Sequence, residues 1–162
     1  MIALLLFFLP SVSCRNYSFT GASVSPEVKT ISIPFFPNRA SVVQPTLSQV
    51  FTEKLRDKFL TQTNLTLKDG PADLLLEGFI SDYQMQPTAI QGDDRAALNR
   101  LTVSVQVRFS NATDSKQNFE SSFSRFADFS ASQNFASIEQ ELIQQIVSQL
   151  ADDIFNRAMV NW

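Results

Sequence analysis

Acid pairs, a hydroxyl run and a small cluster of cations are the features of this chain best suited to chemistry. Asp93-Asp94 and Asp152-Asp153 could form a carboxylate dyad only if the fold desolvated them together. The first pair sits beside Gly92 in a turn-rich stretch, and the second falls on the solvent side of a helical repeat, so both read as solvating charges. Ser121, Ser122 and Ser124 have no histidine partner to activate them, because the 162-residue chain contains no histidine. The lack of histidine also removes a common zinc ligand and the usual proton carrier near neutral pH, although carboxylate chemistry stays open. Lys54, Arg56 and Lys58 are interleaved with Glu53 and Asp57, which makes them an ordinary helix surface. No glycine-rich phosphate loop, nucleophile elbow, paired-cysteine site or zinc-protease motif occurs. The reading is therefore not an enzyme: no catalytic residue, no metal and no cofactor. A net charge of −3 gives no basic field for nucleic acid.

The remaining reactive group is Cys14, the single cysteine, for which an intrachain disulfide is impossible. It follows an almost wholly apolar run, residues 1–9, then Pro10 and the small residues Ser11-Val12-Ser13. That run is too short for a bilayer span of about 20 residues, and it matches the apolar region and cleavage site of an export signal. A buried strand or core helix is the competing reading, but no polar alternation and no capping residue frames the run. No lysine or arginine precedes Arg15, so either the true start is expected a few residues upstream, the preferred reading, or the export signal is unusual. Cleavage before Cys14 makes it the first mature residue and a site for acylation. Ser13 suits the position before it, while Ser11 departs from the leucine-like residue usual there. A multiply acylated cysteine anchors stably where one chain does not. The expected organisation is an export signal over 1–13, a lipid-anchored arm over 14–29 and one α/β domain over 30–162. Three Asn-x-Ser/Thr sequons, at Asn16, Asn64 and Asn111, would mark surface in a eukaryotic secretory setting and would be chance in a bacterium.

The elements follow from hydrophobic periodicity. In residues 30–36, Ile31, Ile33 and Phe35 fall on one side of a strand, and Pro34 argues for an edge. A first helix starts at Pro45, or at Thr46 with Gln49 as a capping box. Leu47, Val50, Phe51, Leu55 and Phe59 form its apolar stripe. Leu65 and Leu67 mark a short extended piece. Residues 72–83 make the second main strand, whose apolar parity changes near Gly78, as a bulge there would cause. Residues 84–97 connect it to the clearest segment, 101–109, in which Leu101, Val103, Val105, Val107 and Phe109 alternate with polar residues. Phe119 and Phe123 continue a strand to about Phe126 or Phe129. A long last helix opens at a Ser137/Gln140 capping box and carries a ridge through Ile138, Leu142, Ile146, Leu150, Ile154 and Ala158. The expected fold class is α/β in an α+β arrangement: a small two-layer sandwich, with a mostly antiparallel four-stranded sheet and two helices on one face. The first strand is either parallel to the second or set apart.

Fifteen phenylalanines exceed ordinary usage. Phe35-Phe36, held between Pro34 and Pro37, reads either as an exposed pair for a protein contact or as a plug in the sheet–helix seam. Trp162 either docks the chain end or faces a partner.

The succession Tyr17-Ser-Phe-Thr-Gly21, Ile31-Ser-Ile-Pro-Phe-Phe-Pro-Asn-Arg39, Pro45-Thr-Leu-Ser-Gln49, Leu98-Asn-Arg-Leu-Thr102 and Phe123-Ser-Arg-Phe-Ala-Asp128 resembles the LptE family of lipopolysaccharide-assembly lipoproteins, in the form found in Bacteroidetes. The resemblance runs from Cys14 to Trp162 and is most specific over Pro34 to Arg39. Gln44 stands where the resemblance places a helix-capping asparagine. It implies an outer-membrane lipoprotein, held on the periplasmic side by acylated Cys14, that plugs and helps assemble an LptD-like β-barrel and assists lipopolysaccharide insertion into the outer leaflet. On that reading Phe35, Phe36, Arg39 and Trp162 are candidate partner contacts, and Lys54, Arg56, Arg100 and Arg108 are cations available to lipopolysaccharide. The alternative from the same architecture is a freestanding, periplasm-facing lipoprotein that binds a small lipid or glycolipid.

Overall fold

A computed structural model describes residues 25–88 and 97–160. Cys14, Asp93-Asp94 and Trp162 lie outside the described residues. The chain runs β1 (Thr30–Ser32), α1 (Leu47–Gln62), β2 (Thr66–Leu67), β3 (Leu74–Pro87), β4 (Leu98–Asn111), β5 (Phe119–Ser130) and α2 (Phe135–Met159). The two-layer sandwich, with both helices on one face of the sheet, is as expected. The sheet has five strands rather than four, ordered β2-β1-β3-β4-β5. The Leu65–Leu67 piece accounts for the difference, because Thr66 and Leu67 pair with Thr30 and Ile31 as a parallel edge strand.

β1 also pairs in parallel with β3, through Ile31↔Leu74 and Ser32↔Leu75. A three-residue strand offers few ladder bonds, and Asp73 supplements them. Its Oδ2 accepts from the backbone N–H of Lys29 and Thr30, at 2.9 Å each, and from Thr30 Oγ1 at 2.8 Å. Its own N–H donates to Thr30 Oγ1. The Lys29 N–H, then the Thr30 bonds, hold the Asp73 carboxyl below the usual carboxylate range.

β3, β4 and β5 form an antiparallel meander. The odd residues Leu101 through Phe109 face the helices and are buried, as the alternation predicts. The parity change in β3 falls between Ile80 and Asp82, not at Gly78. Gly78 keeps phase with Leu74, Leu76 and Ile80; what demands glycine there is space. A Cβ would lie 2.0 Å from the Gln106 carbonyl oxygen and 2.8 Å from the Phe36 ring.

Opposite the meander, α1 seats Leu47, Phe51, Leu55 and Phe59 with no exposed surface. α2 adds Ile143, Ile146, Val147, Leu150 and Ile154, also fully buried. Phe59 of α1 meets Phe155 of α2 edge to face at 5.1 Å. Neither predicted capping box forms. Gln44 caps α1: its Oε1 accepts from the N–H of Thr46 at 2.7 Å and of Leu47 at 2.8 Å, satisfying orphan donors of the first turn. Gln44, where the resemblance places asparagine, therefore caps the helix itself. α2 starts two residues before Ser137, capped by Asn134, whose side chain accepts from the Ala136 N–H.

Asp152 and Asp153 are not solvating charges. Asp152 pairs with Lys58 of α1 at 2.7 Å. Asp153 takes both Arg125 Nε and the second guanidinium nitrogen, at 2.5 and 2.7 Å, tying α2 to the edge strand β5. That bond raises the Arg125 pKa further above its ordinary value.

Candidate functional site

Helices cover one face of the sheet; the other carries Glu77, Phe79, Asp82, Gln84 and Gln86 of β3, the even residues 100–110 of β4, and Glu120, Ser122, Ser124, Phe126 and Asp128 of β5. A concave feature on this open face arises from the residues after β1. Pro34 has no N–H to continue the ladder, so the chain leaves β3 after Ser32 and arches outward. It returns at Asn38, which bridges to Ile80; the Ile80 N–H donates to the Pro37 carbonyl and the Arg39 N–H to the Ile80 carbonyl, both at 2.9 Å.

The arch reverses the expected parity. Ile31 and Ile33 are buried, but Phe35 turns outward with 58% of its surface exposed, while Phe36 takes the core position at 0%. Phe36 meets Phe51 edge to face at 5.2 Å. Helix α1 holds the arch from behind: the Phe36 N–H donates to Thr52 Oγ1 at 3.1 Å, and Arg56 donates to the Ile33 carbonyl from two nitrogens at 2.9 and 2.6 Å. Phe35-Phe36 is therefore neither an exposed pair nor a plug, but one residue of each kind.

Between arch and sheet lies a hollow of about 490 Å³, lined by Pro34, Phe35 and Pro37 on one side, and by Arg39, Glu77, Phe79, Gln106, Arg108 and Glu120 around the rest. Arg39 lies over the Phe79 ring, 4.5 Å from its centroid. The register sets Glu77, Arg108 and Glu120 side by side on three strands. Only one of these contacts is an ion pair, Arg108 to Glu77, and it is long at 4.0 Å with both side chains substantially exposed.

The candidate residues thus divide. Phe35, Arg39 and Arg108, assigned to two separate roles in sequence, share the hollow. Phe36 is closed off in the core, which removes it as a partner contact. Arg56 is occupied by the Ile33 carbonyl, and half-buried Lys54 lies on α1, on the covered side of the sheet. Arg100 shares the open face but is engaged: it donates bidentately to Asp128 at 2.7 and 2.8 Å and stacks 3.6 Å above Phe126. The hydrogen bonds lower the Asp128 pKa and raise that of Arg100. The sequence reading missed Glu77, Gln106 and Glu120 as residues that line the hollow with Arg108, since alternation reveals the face of a strand but not which strands lie beside it. Among the described residues, no group of three or more His, Cys, Asp or Glu side chains is placed to hold a metal ion.

Residues 28–158 match the model of the LptE family, described as lipopolysaccharide-assembly. The chain belongs to the LptE family. Members of this family are lipoproteins rather than enzymes. Solved structures share the fold at low identity. A minor lipoprotein from Acinetobacter baumannii is similar with a TM-score of 0.54 at 14% identity, over 81% of this chain and 90% of that one. The hypothetical protein CT253 from Chlamydia trachomatis is similar with a TM-score of 0.55 at 11% identity, over 83% and 99%. No curated protein matches in sequence. The LptE-like architecture thus presents one helix-covered face and one open sheet face, and the hollow lies on the open one.

Proposed function

We propose that this LptE-family protein is a lipoprotein of the outer membrane, held on the periplasmic side by acylated Cys14, that binds lipopolysaccharide or a related glycolipid on its open sheet face. The observation that carries the reading is the hollow beneath the Pro34–Pro37 arch. It is the described concavity where cations from two separate parts of the chain meet beside exposed aromatic surface. Its volume falls within the about 300–1,000 Å³ of small-molecule sites. The family match supports lipopolysaccharide as the class of ligand. In this reading the protein acts without a partner: the helices close the other face, and the bound glycolipid sits on the sheet.

A second reading is favoured by the polarity of the open face. Rows of Ser, Thr, Gln and paired charges suit the aqueous lumen of an LptD-like barrel, which the protein would plug, help assemble and assist in lipopolysaccharide insertion, in the form found in Bacteroidetes. Both readings are tested by extracting the tagged full-length lipoprotein from its native envelope in mild detergent, then measuring bound lipid and protein. Glycolipid recovered with the protein alone supports the first reading. A large barrel recovered in near-equal amount selects the second. Recovery of neither refutes both, and a Cys14→Ser variant that stays membrane-bound refutes the anchor.

A further inference from the structure

We propose that the hollow under the arch recognises the acidic sugar portion of its ligand, a phosphorylated or carboxylated saccharide, and not an acyl chain. This rests on the glycolipid reading above and names the part of the molecule that the site holds. The lining decides the chemistry. Arg39 has no carboxylate within 4 Å among the described residues, and Arg108 has only its 4.0 Å approach to Glu77. Planar guanidinium groups left without a close partner suit the oxygens of a phosphate or carboxylate. Glu77, Glu120 and the Gln106 amide are complementary to hydroxyl groups, two as acceptors and one as both donor and acceptor. Pro34, Pro37 and exposed Phe35 offer flat apolar surface to the C–H faces of a sugar ring.

Other ligand classes fit worse. An acyl chain would strip water from four charged side chains without replacing their hydrogen bonds. A simple anion would leave Glu77, Glu120 and the aromatic rim unused. An extended peptide needs a free strand edge, but β3 at Ile80 already exchanges both backbone bonds with Pro37 and Arg39, and neither proline has an N–H to offer. An acidic sugar uses every part of the lining.

The test uses the full-length lipoprotein in a sugar-free zwitterionic detergent, with saturation-transfer NMR on the ligand. The probes are fully deacylated lipopolysaccharide, glucosamine 1-phosphate, galacturonic acid, glucosamine and inorganic phosphate, beside intact lipopolysaccharide. Deacylated lipopolysaccharide is expected to bind, with transfer to sugar ring protons. The two acidic monosaccharides separate phosphate from carboxylate recognition, and at least one should bind at least tenfold more tightly than glucosamine or inorganic phosphate alone. Arg39→Ala and Arg108→Ala should each weaken binding at least tenfold, and Phe35→Ala should remove transfer to the ring protons, with unchanged melting. If intact lipopolysaccharide binds while every deacylated probe fails, or if the arginine variants bind normally, the sugar assignment falls and the glycolipid reading stands. If nothing binds, both fall.

Discussion

Two adjacent phenylalanines should respond in opposite ways to the same substitution. Phe36 is fully buried, packs edge to face on Phe51, and its ring lies over Gly78. Replacing it with alanine removes the transfer free energy of the ring and leaves a cavity, together about 3–5 kcal/mol. For a domain near 150 residues, where 1 kcal/mol moves the midpoint by about 2–4 °C, this is a drop of about 6–20 °C. Total stabilities of about 5–15 kcal/mol make that a large fraction of the whole. Phe35, one residue earlier, is 58% exposed, and Phe35→Ala should stay within about 0.5 kcal/mol. The assay is urea unfolding followed by circular dichroism, comparing midpoints at constant slope. Equal losses for the two variants would refute the parity reversal at Pro34. A loss below about 1.5 kcal/mol for Phe36→Ala, well short of the cavity cost, would refute its burial against Phe51.

Gly78→Ala should destabilise by about 3 kcal/mol or more, because the new methyl meets a backbone carbonyl and not only a movable side chain; thermal melting checks it, and a neutral result would mean the β3–β4 spacing is wider. Gln44→Ala should cost about 1 kcal/mol, with Gln44→Asn recovering part of it, as read by urea midpoints. Asp73 titrates below its ordinary value in the folded state, so its contribution is fully present above the unfolded pKa of about 3.9 and disappears as pH falls through the folded one. Asp73→Asn should therefore be less stable than wild type at pH 7, and the gap should close as the pH is lowered below about 4. Unfolding midpoints from pH 7 to pH 2 measure this, and a gap independent of pH would remove the clamp from the account.

Much of the architecture was legible in residue order because its signals are local. The alternation of residues 101–109 and the four-residue ridge of the last helix each bury one face whatever their neighbours do, so periodicity alone located them. The lack of histidine and of catalytic motifs likewise needed no coordinates. Pairing was not legible. Leu65–Leu67 carries too few residues to declare itself a strand until β1 lies beside it, and the parity change that Tyr83 marks in sequence shows that a bulge exists without placing it near Ser81. Capping also depended on approach geometry, which let Gln44 and Asn134 take the place of the predicted boxes.

The site separates the two sources most clearly. Sequence determined that Phe35 and Phe36 are constrained by flanking prolines, that Arg39 follows them closely, and that Arg108 lies on the wet side of its strand. Only the tertiary structure decided that one phenylalanine turns in and the other out, because that depends on where the chain rejoins β3 after a proline has ended its ladder. It also decided that Arg39 and Arg108, 69 positions apart by their numbering, face one hollow with Glu77 and Glu120. Side-chain direction along a strand is a local property. Which strands lie side by side, and in which register, is set by packing across the whole sheet.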